Sequence, residues 1–170
     1  DTLLELEGLY AAMHELFGRQ LELCELLEPI EVRLYRDRAQ MPKVSDTIGA
    51  WFDRDEPALH TCIENGRAYA LLHEATHAIL HWEFVRAAKS RGDLPAWLDE
   101  GWAEYMQGRI ANTKAGKAEL RAQSERPDLE QALRSGDLYG LHRVLNFKSA
   151  DFGASTRQDV KYAQSWGLFR

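Results

Sequence analysis

The chain has 170 residues, which is enough for one domain with its own hydrophobic core. It is 45% apolar and 28% charged, as expected of a globular domain, and no apolar run is long enough to span a membrane. The formal net charge of −6 has the wrong sign for a phosphate backbone, so we expect no nucleic-acid partner. No signal peptide is visible, but the chain begins at Asp1 rather than at a methionine. Its compartment therefore stays open and includes secretion or the cell envelope.

The apolar pattern predicts a single domain, residues 1–170, that begins with a helix followed by a small sheet. Leucines at helical spacing predict an N-terminal helix over residues 1–28. Residues 30–63 contain three strand candidates, "IEVRLYRD", "IGAWF" and "ALHTCI". The turn residues "DRDEP" separate the last two, which predicts a hairpin. The segment "ALHTCI" is also a candidate edge strand that could bind an extended peptide.

The rest of the chain is predicted to be mainly helical. Residues 67–109 contain two helices, the first from Arg67 to about Lys89 and the second in "AWLDEGWAEYMQGRI". Residues 110–170 predict further helical pieces, and we expect the native chain to continue beyond Arg170 because a helical pattern is still running there. The predicted fold class is therefore α+β and mostly helical, with a small N-terminal sheet packed on the first of the two helices.

The segment "LLHEATHAIL" carries the clearest chemical signal in the sequence. His73 and His77 match H-E-x-x-H, and residues four apart on a helix lie on one face, separated by about 6 Å along the axis. Two imidazoles placed in this way can bind one zinc ion, and Glu74 beside them can take a proton from a zinc-bound water. The alternative is a helix with two histidines on its surface or in a core where other groups satisfy them.

His81 continues the histidine spacing, but we predict that it is not a ligand. It follows His73 by eight residues, about 12 Å along a helix, whereas zinc–nitrogen bonds are about 2.0–2.1 Å long. The H-E-x-x-H-x-x-G-x-x-H pattern of metzincins is also absent, because Ile79 and Leu80 follow Ala78. His81 is therefore predicted to be a residue of the helix face.

A third ligand is needed, since catalytic zinc sites usually have three protein ligands and one position for water. The downstream helix in "PAWLDEGWAEYM" offers Asp99, Glu100 and Glu104, and the loop before it lets the two helices pack together. We assign Glu100 as the ligand that completes a site for one Zn²⁺ per chain. Glu104 lies one turn later on the same face, and we assign it to the other ring N–H of a ligand histidine. For Glu104 the alternative is a solvated surface acid or a salt bridge.

Together, HEATH and "WLDEGWAEY" resemble the gluzincin metallopeptidases, in particular aminopeptidase-N-type enzymes and bacterial peptidase MA-like domains. These families carry H-E-x-x-H followed by W-L-[ND]-E-G-x-A-[EX]-Y, and the resemblance implies that Glu100 is the third ligand. It also implies a zincin-like fold over residues 30–170. The G-x-M-E-N exopeptidase signature of the aminopeptidases is missing, and "IGAWF" occupies a comparable place. The resemblance therefore does not extend to aminopeptidase activity.

The segment "YAQSW" resembles the Tyr-x-x-[GS] segment of the same families. There the tyrosine hydroxyl points at the substrate carbonyl. The resemblance implies that Tyr162 stabilises the negative charge that develops on that oxygen during hydrolysis. Without the resemblance, Tyr162 would be interpreted as a core residue of an amphipathic helix.

The leading hypothesis is a zinc-dependent metallopeptidase that hydrolyses a bond in a peptide or protein substrate. In this hypothesis zinc activates the attacking water and polarises the scissile carbonyl, and Glu74 moves the proton. A second hypothesis keeps the zinc but makes the chain a non-proteolytic, gluzincin-like domain that binds a peptide or protein partner. A third is a metal-free helical interaction domain.

Overall fold

The computed structural model describes residues 2–21, 29–42, 49–64, 67–68, 70–86, 94–112, 118–120, 126–153 and 156–170. Its elements form an α+β, mostly helical fold, as predicted. In chain order they are α1 Thr2–Leu21, β1 Glu31–Tyr35, β2 Ala50–Asp53, β3 Ala58–Glu64, β4 Arg67–Ala68, α2 Leu71–Leu80, α3 Ala96–Arg109, β5 Ile110–Asn112, β6 Ala118–Leu120, α4 Pro127–Ser135, α5 Leu141–Leu145, α6 Ser149–Phe152 and α7 Gln158–Phe169. Within the part of the chain described, no helix combines the length and the apolarity that a membrane span requires.

The small sheet is built around β3. Strand β1 pairs with β3 in parallel, and β2 pairs with it antiparallel, with Phe52 opposite Leu59. This antiparallel pairing confirms the predicted hairpin. Strand β4 pairs with the end of β3, where Ile63 lies opposite Ala68. The sheet packs on α1 and α2 through Leu59 and its neighbours, which agrees with the predicted position of a sheet against the helix that carries HEATH.

The prediction that "ALHTCI" is an edge strand is wrong, because β3 has a neighbour on each side over most of its length. Its side chains are buried on both faces, with Leu59 1% and His60 3% exposed. Side chains buried on both faces are typical of a strand inside a sheet rather than at its edge. Among the described strands, β2 ends the sheet on the side opposite β1.

The helix that carries HEATH begins later than predicted. Arg67 and Ala68 belong to β4, so the predicted start at Arg67 is wrong. Ala70 then adopts a left-handed conformation with a φ of 46°, which turns the chain before α2 begins at Leu71. Pairing with β3 outweighs the helical preference of these residues, as tertiary contacts often do. After α2, residues His81–Arg86 are π-helical, and Lys89 lies outside the described residues.

Two further predictions concern the N-terminal helix and the C-terminal part. The structure describes helix α1 over Thr2–Leu21, and residues 22–28 of the predicted N-terminal helix lie outside the described residues, so the predicted end of this helix stays a prediction. The C-terminal part, residues 110–170, is not purely helical, because it begins with the two-stranded sheet β5–β6. Each of these strands has only three residues. Such short strands carry too few residues for an alternating pattern to show in the sequence.

The core lies where α2 packs against α1, α3 and the sheet. Its buried members are Leu9, Ala12, Met13, Leu59, Ala75, Ala78, Ile79, Leu80, Trp102 and Met106. Full burial of one large aliphatic side chain contributes about 1.5–3 kcal/mol. The four α2 residues in this cluster therefore fix the rotation of α2 about its axis. That rotation decides where the polar residues of HEATH point.

Candidate metal centre

The polar residues of HEATH and of "LDEGWAEY" meet at the contact between α2 and α3. The Nε2 atom of His73 lies 3.2 Å from Oε2 of Glu100, and the Nε2 atom of His77 lies 3.5 Å from the same oxygen. The three side chains offer one ligand atom each within 4.8 Å of one another, and they could hold a metal ion. His81 is not a member of this group, and its ring contacts Phe52 instead, with centroids 5.4 Å apart.

The electrostatics of the three groups fit a cation. Burial lowers the pKa of His73, but hydrogen bonds with Glu100 and Glu104 outweigh this effect and raise it to about 9. Burial also lowers the pKa of His77, but the charges of Asp99 and Glu100 raise it well above its ordinary value. Burial raises the pKa of Glu100, yet the two imidazoles bring it far below the usual range. The surroundings thus stabilise positive charge between these side chains, and a metal ion can supply that charge in place of protons.

The second ring nitrogen of each histidine faces a carboxylate. The Nδ1 atom of His73 lies 3.2 Å from Oε1 of Glu104. The Nδ1 atom of His77 lies 2.8 Å from Oδ1 of Asp99. A carboxylate on Nδ1 favours the tautomer that carries its proton there and leaves Nε2 free to bind a metal. Both histidines are therefore oriented with Nε2 toward Glu100.

The role of Asp99 was missed from the sequence, which offered it as an acid on the right helix without assigning it. A signal was present, because each ligand histidine of a metal site usually donates its other ring N–H to a carboxylate, a backbone carbonyl or a water, and Asp99 is an acid on the same helix as Glu100. Asp99 and Glu100 are consecutive residues of α3, so their side chains leave the helix in different directions. Only the packing of α2 on α3 shows that Asp99 reaches His77. Its other oxygen accepts a hydrogen bond from Nη2 of Arg54 at 2.8 Å.

Glu74 lies beside the group without being part of it. Its Oε2 accepts a hydrogen bond from the backbone N–H of Phe52 in β2, at 3.0 Å. Burial raises the pKa of Glu74, which makes it a better proton acceptor than an exposed glutamate. The carboxylate is therefore fixed between α2 and the edge of the sheet.

Tyr162 reaches the same place from α7. Its ring lies 5.9 Å from the ring of His73, measured between centroids, in an edge-on arrangement. Burial and the charge of Glu100 raise the pKa of Tyr162, so its hydroxyl keeps its proton at neutral pH and can donate a hydrogen bond. Helix α7 comes this close because α3 has a glycine where they touch. A Cβ at Gly101 would stand 2.7 Å from the carbonyl carbon of Ser165, and closer still to its oxygen.

These residues line one open cavity of about 380 Å³, which is within the range of about 300–1,000 Å³ that ligand sites occupy. Its lining consists of Trp51, Phe52, Arg54, His73, Glu74, His77, Asp99, Glu100, Ser149 and Tyr162. Five of the six side chains predicted from the sequence line it together. The sixth, Glu104, contacts His73 from behind.

Comparison of the chain with protein-family models, with curated proteins and with solved structures gave no match. The geometry of the cavity therefore carries the functional argument.

Proposed function

We propose that the chain is a zinc-dependent peptide hydrolase of gluzincin type. His73, His77 and Glu100 would hold the zinc ion, Glu74 would act as general base, and Tyr162 would assist at the substrate carbonyl. The observation that carries the proposal is the convergence of all five side chains on one cavity, from α2, α3 and α7. A site that only bound a metal would have no need of a buried glutamate and a protonated tyrosine beside it.

The donor set supports zinc over magnesium and calcium. Two imidazole nitrogens and one carboxylate oxygen form the set of His₂Glu catalytic zinc sites. Magnesium and calcium favour oxygen ligands, and a set with two imidazoles is poor for both. All three side chains line the open cavity, so water and substrate could reach an ion that they held.

The zinc ion, when bound, would supply Lewis-acid activation of water and of the scissile carbonyl. Glu74 would take the proton of the attacking water and later pass it to the leaving amine. The N–H of Phe52 holds Oε2 of Glu74, and Oε1 is the oxygen that we propose for this transfer. Tyr162 would donate a hydrogen bond from its hydroxyl to the carbonyl oxygen as negative charge develops there.

Strand β2 is the surface we propose for the substrate backbone. The backbone N–H of Phe52 donates to Glu74 rather than to β3. The edge of β2 that does not pair with β3 is therefore turned toward the metal centre. An extended peptide could pair with this edge by strand addition, which would place its backbone beside Glu74. Trp51 and Phe52 line the cavity at this point.

The test measures zinc content first and peptide cleavage second. We expect about one zinc per chain in protein purified without chelator or histidine tag, and little in His77→Ala, which lacks a ligand. Zinc-loaded protein is then given a degenerate peptide library, and products are identified by mass spectrometry. We expect cleavage by the wild type and none by Glu74→Gln, which should keep its zinc.

The other results would select the other hypotheses. Zinc binding without cleavage would leave a non-proteolytic zinc domain that binds a peptide or protein. Failure to bind zinc, even after zinc is added, would leave a metal-free interaction domain. Cleavage by Glu74→Gln at the wild-type rate would show that another group acts as the base.

A further inference from the structure

The carboxylate behind His73 is itself held by a distant part of the chain. Nη1 of Arg126 donates a hydrogen bond to Oε2 of Glu104 at 2.6 Å. The other oxygen of Glu104, Oε1, lies 3.2 Å from Nδ1 of His73. Arg126 immediately precedes α4 and is 22 residues from Glu104 in the sequence. The three side chains form a continuous chain of hydrogen bonds that ends at the candidate metal centre.

Three elements fix the guanidinium of Arg126. Its Nε and Nη2 atoms donate to the two oxygens of Asp128, at 3.1 and 2.7 Å, so the pair is bidentate. The guanidinium also lies over the ring of Trp166 in α7, 5.8 Å from the centroid. With Glu104 from α3 as the third contact, the group has little freedom to rotate. An exposed surface ion pair lacks this degree of restraint.

The geometry points to Arg126 as a positioning residue of the metal centre. By fixing Glu104, it would keep Nδ1 of His73 engaged and Nε2 directed toward Glu100, where the metal would bind. This inference rests on the metal site of the proposed function and does not depend on peptide cleavage. Arg126 contacts Glu104 on the side away from His73, and in the sequence it lies outside both metal motifs.

Two observations separate this role from substrate binding. Arg54, which holds the carboxylate behind His77, lines the cavity and is 40% exposed. Arg126 is 17% exposed and is not among the described residues that line the cavity. Its hydrogen-bonded connection to the metal centre runs through Glu104. Removing its charge would leave a largely buried carboxylate without the guanidinium that holds Oε2, so Glu104 would be less firmly positioned beside His73.

The experiment compares Arg126→Met with Arg134→Met. Both changes remove an arginine at or next to α4, but Arg134 is 82% exposed and pairs with Glu130 on the same helix. Zinc affinity is measured by competition with a chromophoric chelator. We expect Arg126→Met to bind zinc about 10-fold more weakly than the wild type, since groups behind a ligand histidine usually affect affinity by 10–100-fold. Arg134→Met should match the wild type.

A second measurement separates positioning from a general loss of structure. Nitrogen-15 spectra of the imidazoles report which ring nitrogen carries the proton, and we expect the Nδ1–H signal of His73 to weaken in Arg126→Met alone. Arg126→Lys, which keeps the charge without the bidentate geometry, should recover part of the affinity. Asp128→Asn, which releases the far side of the guanidinium, should cause a smaller loss in the same direction.

The outcomes separate this inference from the proposed function. Wild-type zinc affinity in Arg126→Met, or an equal loss in Arg134→Met, would overturn the positioning role while the hydrolase proposal stood. A selective loss of zinc affinity in a chain that cleaves no peptide would support the positioning role and overturn the hydrolase. A wild-type chain that binds no zinc would overturn both.

Discussion

The two nitrogens of each ligand histidine have separate partners, and this division has a consequence for metal binding. Nδ1 of His73 faces Glu104, while Nε2 faces Glu100. Without a metal, both nitrogens can hold a proton and donate it to a carboxylate. A zinc ligand must be the neutral imidazole, so binding has to displace the proton on Nε2.

We therefore expect zinc affinity to rise with pH well above the ordinary titration range of histidine. Burial lowers the pKa of His73, but its two carboxylate partners raise it to about 9. Below that pH the metal-free site holds a proton that zinc must displace. The apparent dissociation constant should fall about tenfold per pH unit for each displaced proton, and flatten above the pKa. Chelator competition at a series of pH values measures this. A constant affinity between pH 7 and 9 would contradict the assignment of His73 as a ligand.

Tyr162 makes a residue-scale prediction that separates chemistry from metal binding. Tyr162→Phe removes only the hydroxyl, so zinc affinity should stay at the wild-type level. Turnover of a cleaved peptide should fall by about 10²-fold, the lower end of the loss seen when one oxyanion donor is removed. Tyr105→Phe is the matched control, because its ring packs on Phe17 and Phe169 away from the cavity. Equal rates in both variants would return Tyr162 to a packing role.

At the scale of elements, the contact between α3 and α7 sets the distance between Tyr162 and the metal ligands. Gly101→Ala would place a methyl group against the backbone of Ser165, and backbone cannot move aside as a side chain can. We expect a loss of about 1–3 kcal/mol in the free energy of unfolding, the usual cost of overpacking. Urea denaturation of the metal-free protein measures it.

The control for this prediction is Gly18→Ala in α1. Among the described residues, a Cβ at Gly18 would meet the His14 side chain alone, at an ordinary contact distance of 3.7 Å. Because alanine favours a helix over glycine by about 1 kcal/mol, Gly18→Ala should be neutral or stabilising. Destabilisation by both variants would mean that the close approach at Gly101 is not the cause.

The sequence predicted which residues form the group of candidate ligands better than it predicted the contacts that hold them in place. Helical spacing places His73 and His77 on one face wherever that helix lies, so the pair follows from local pattern alone. The predicted start of α2 was wrong because Arg67 pairs with β3, and this strand pairing decides its conformation. Arg54 and Arg126 were missed for the same reason, since no local pattern brings them to Asp99 and Glu104.

At the scale of the whole molecule, a metal ion bound by the proposed ligands would join parts of the fold that otherwise separate on unfolding. His73 and His77 come from α2 and Glu100 from α3, and α3 in turn packs on α7. The unfolded chain keeps the two histidines close in sequence but lets Glu100 move away from them. Zinc should therefore bind the folded chain much more tightly than the unfolded one, and so stabilise the fold.

We expect zinc at a thousandfold excess over its dissociation constant to raise the free energy of unfolding by about 4.1 kcal/mol, and a chelator to remove this gain. Urea denaturation with and without zinc measures the difference. His77→Ala is the control, since it should show a much smaller response to zinc whatever its own stability. Glu74→Gln should respond as the wild type does, because Glu74 is held by the N–H of Phe52 and takes no part in the ligand group. A loss of the response in Glu74→Gln would mean that the glutamate binds the metal itself, and the division of roles within HEATH would have to be redrawn.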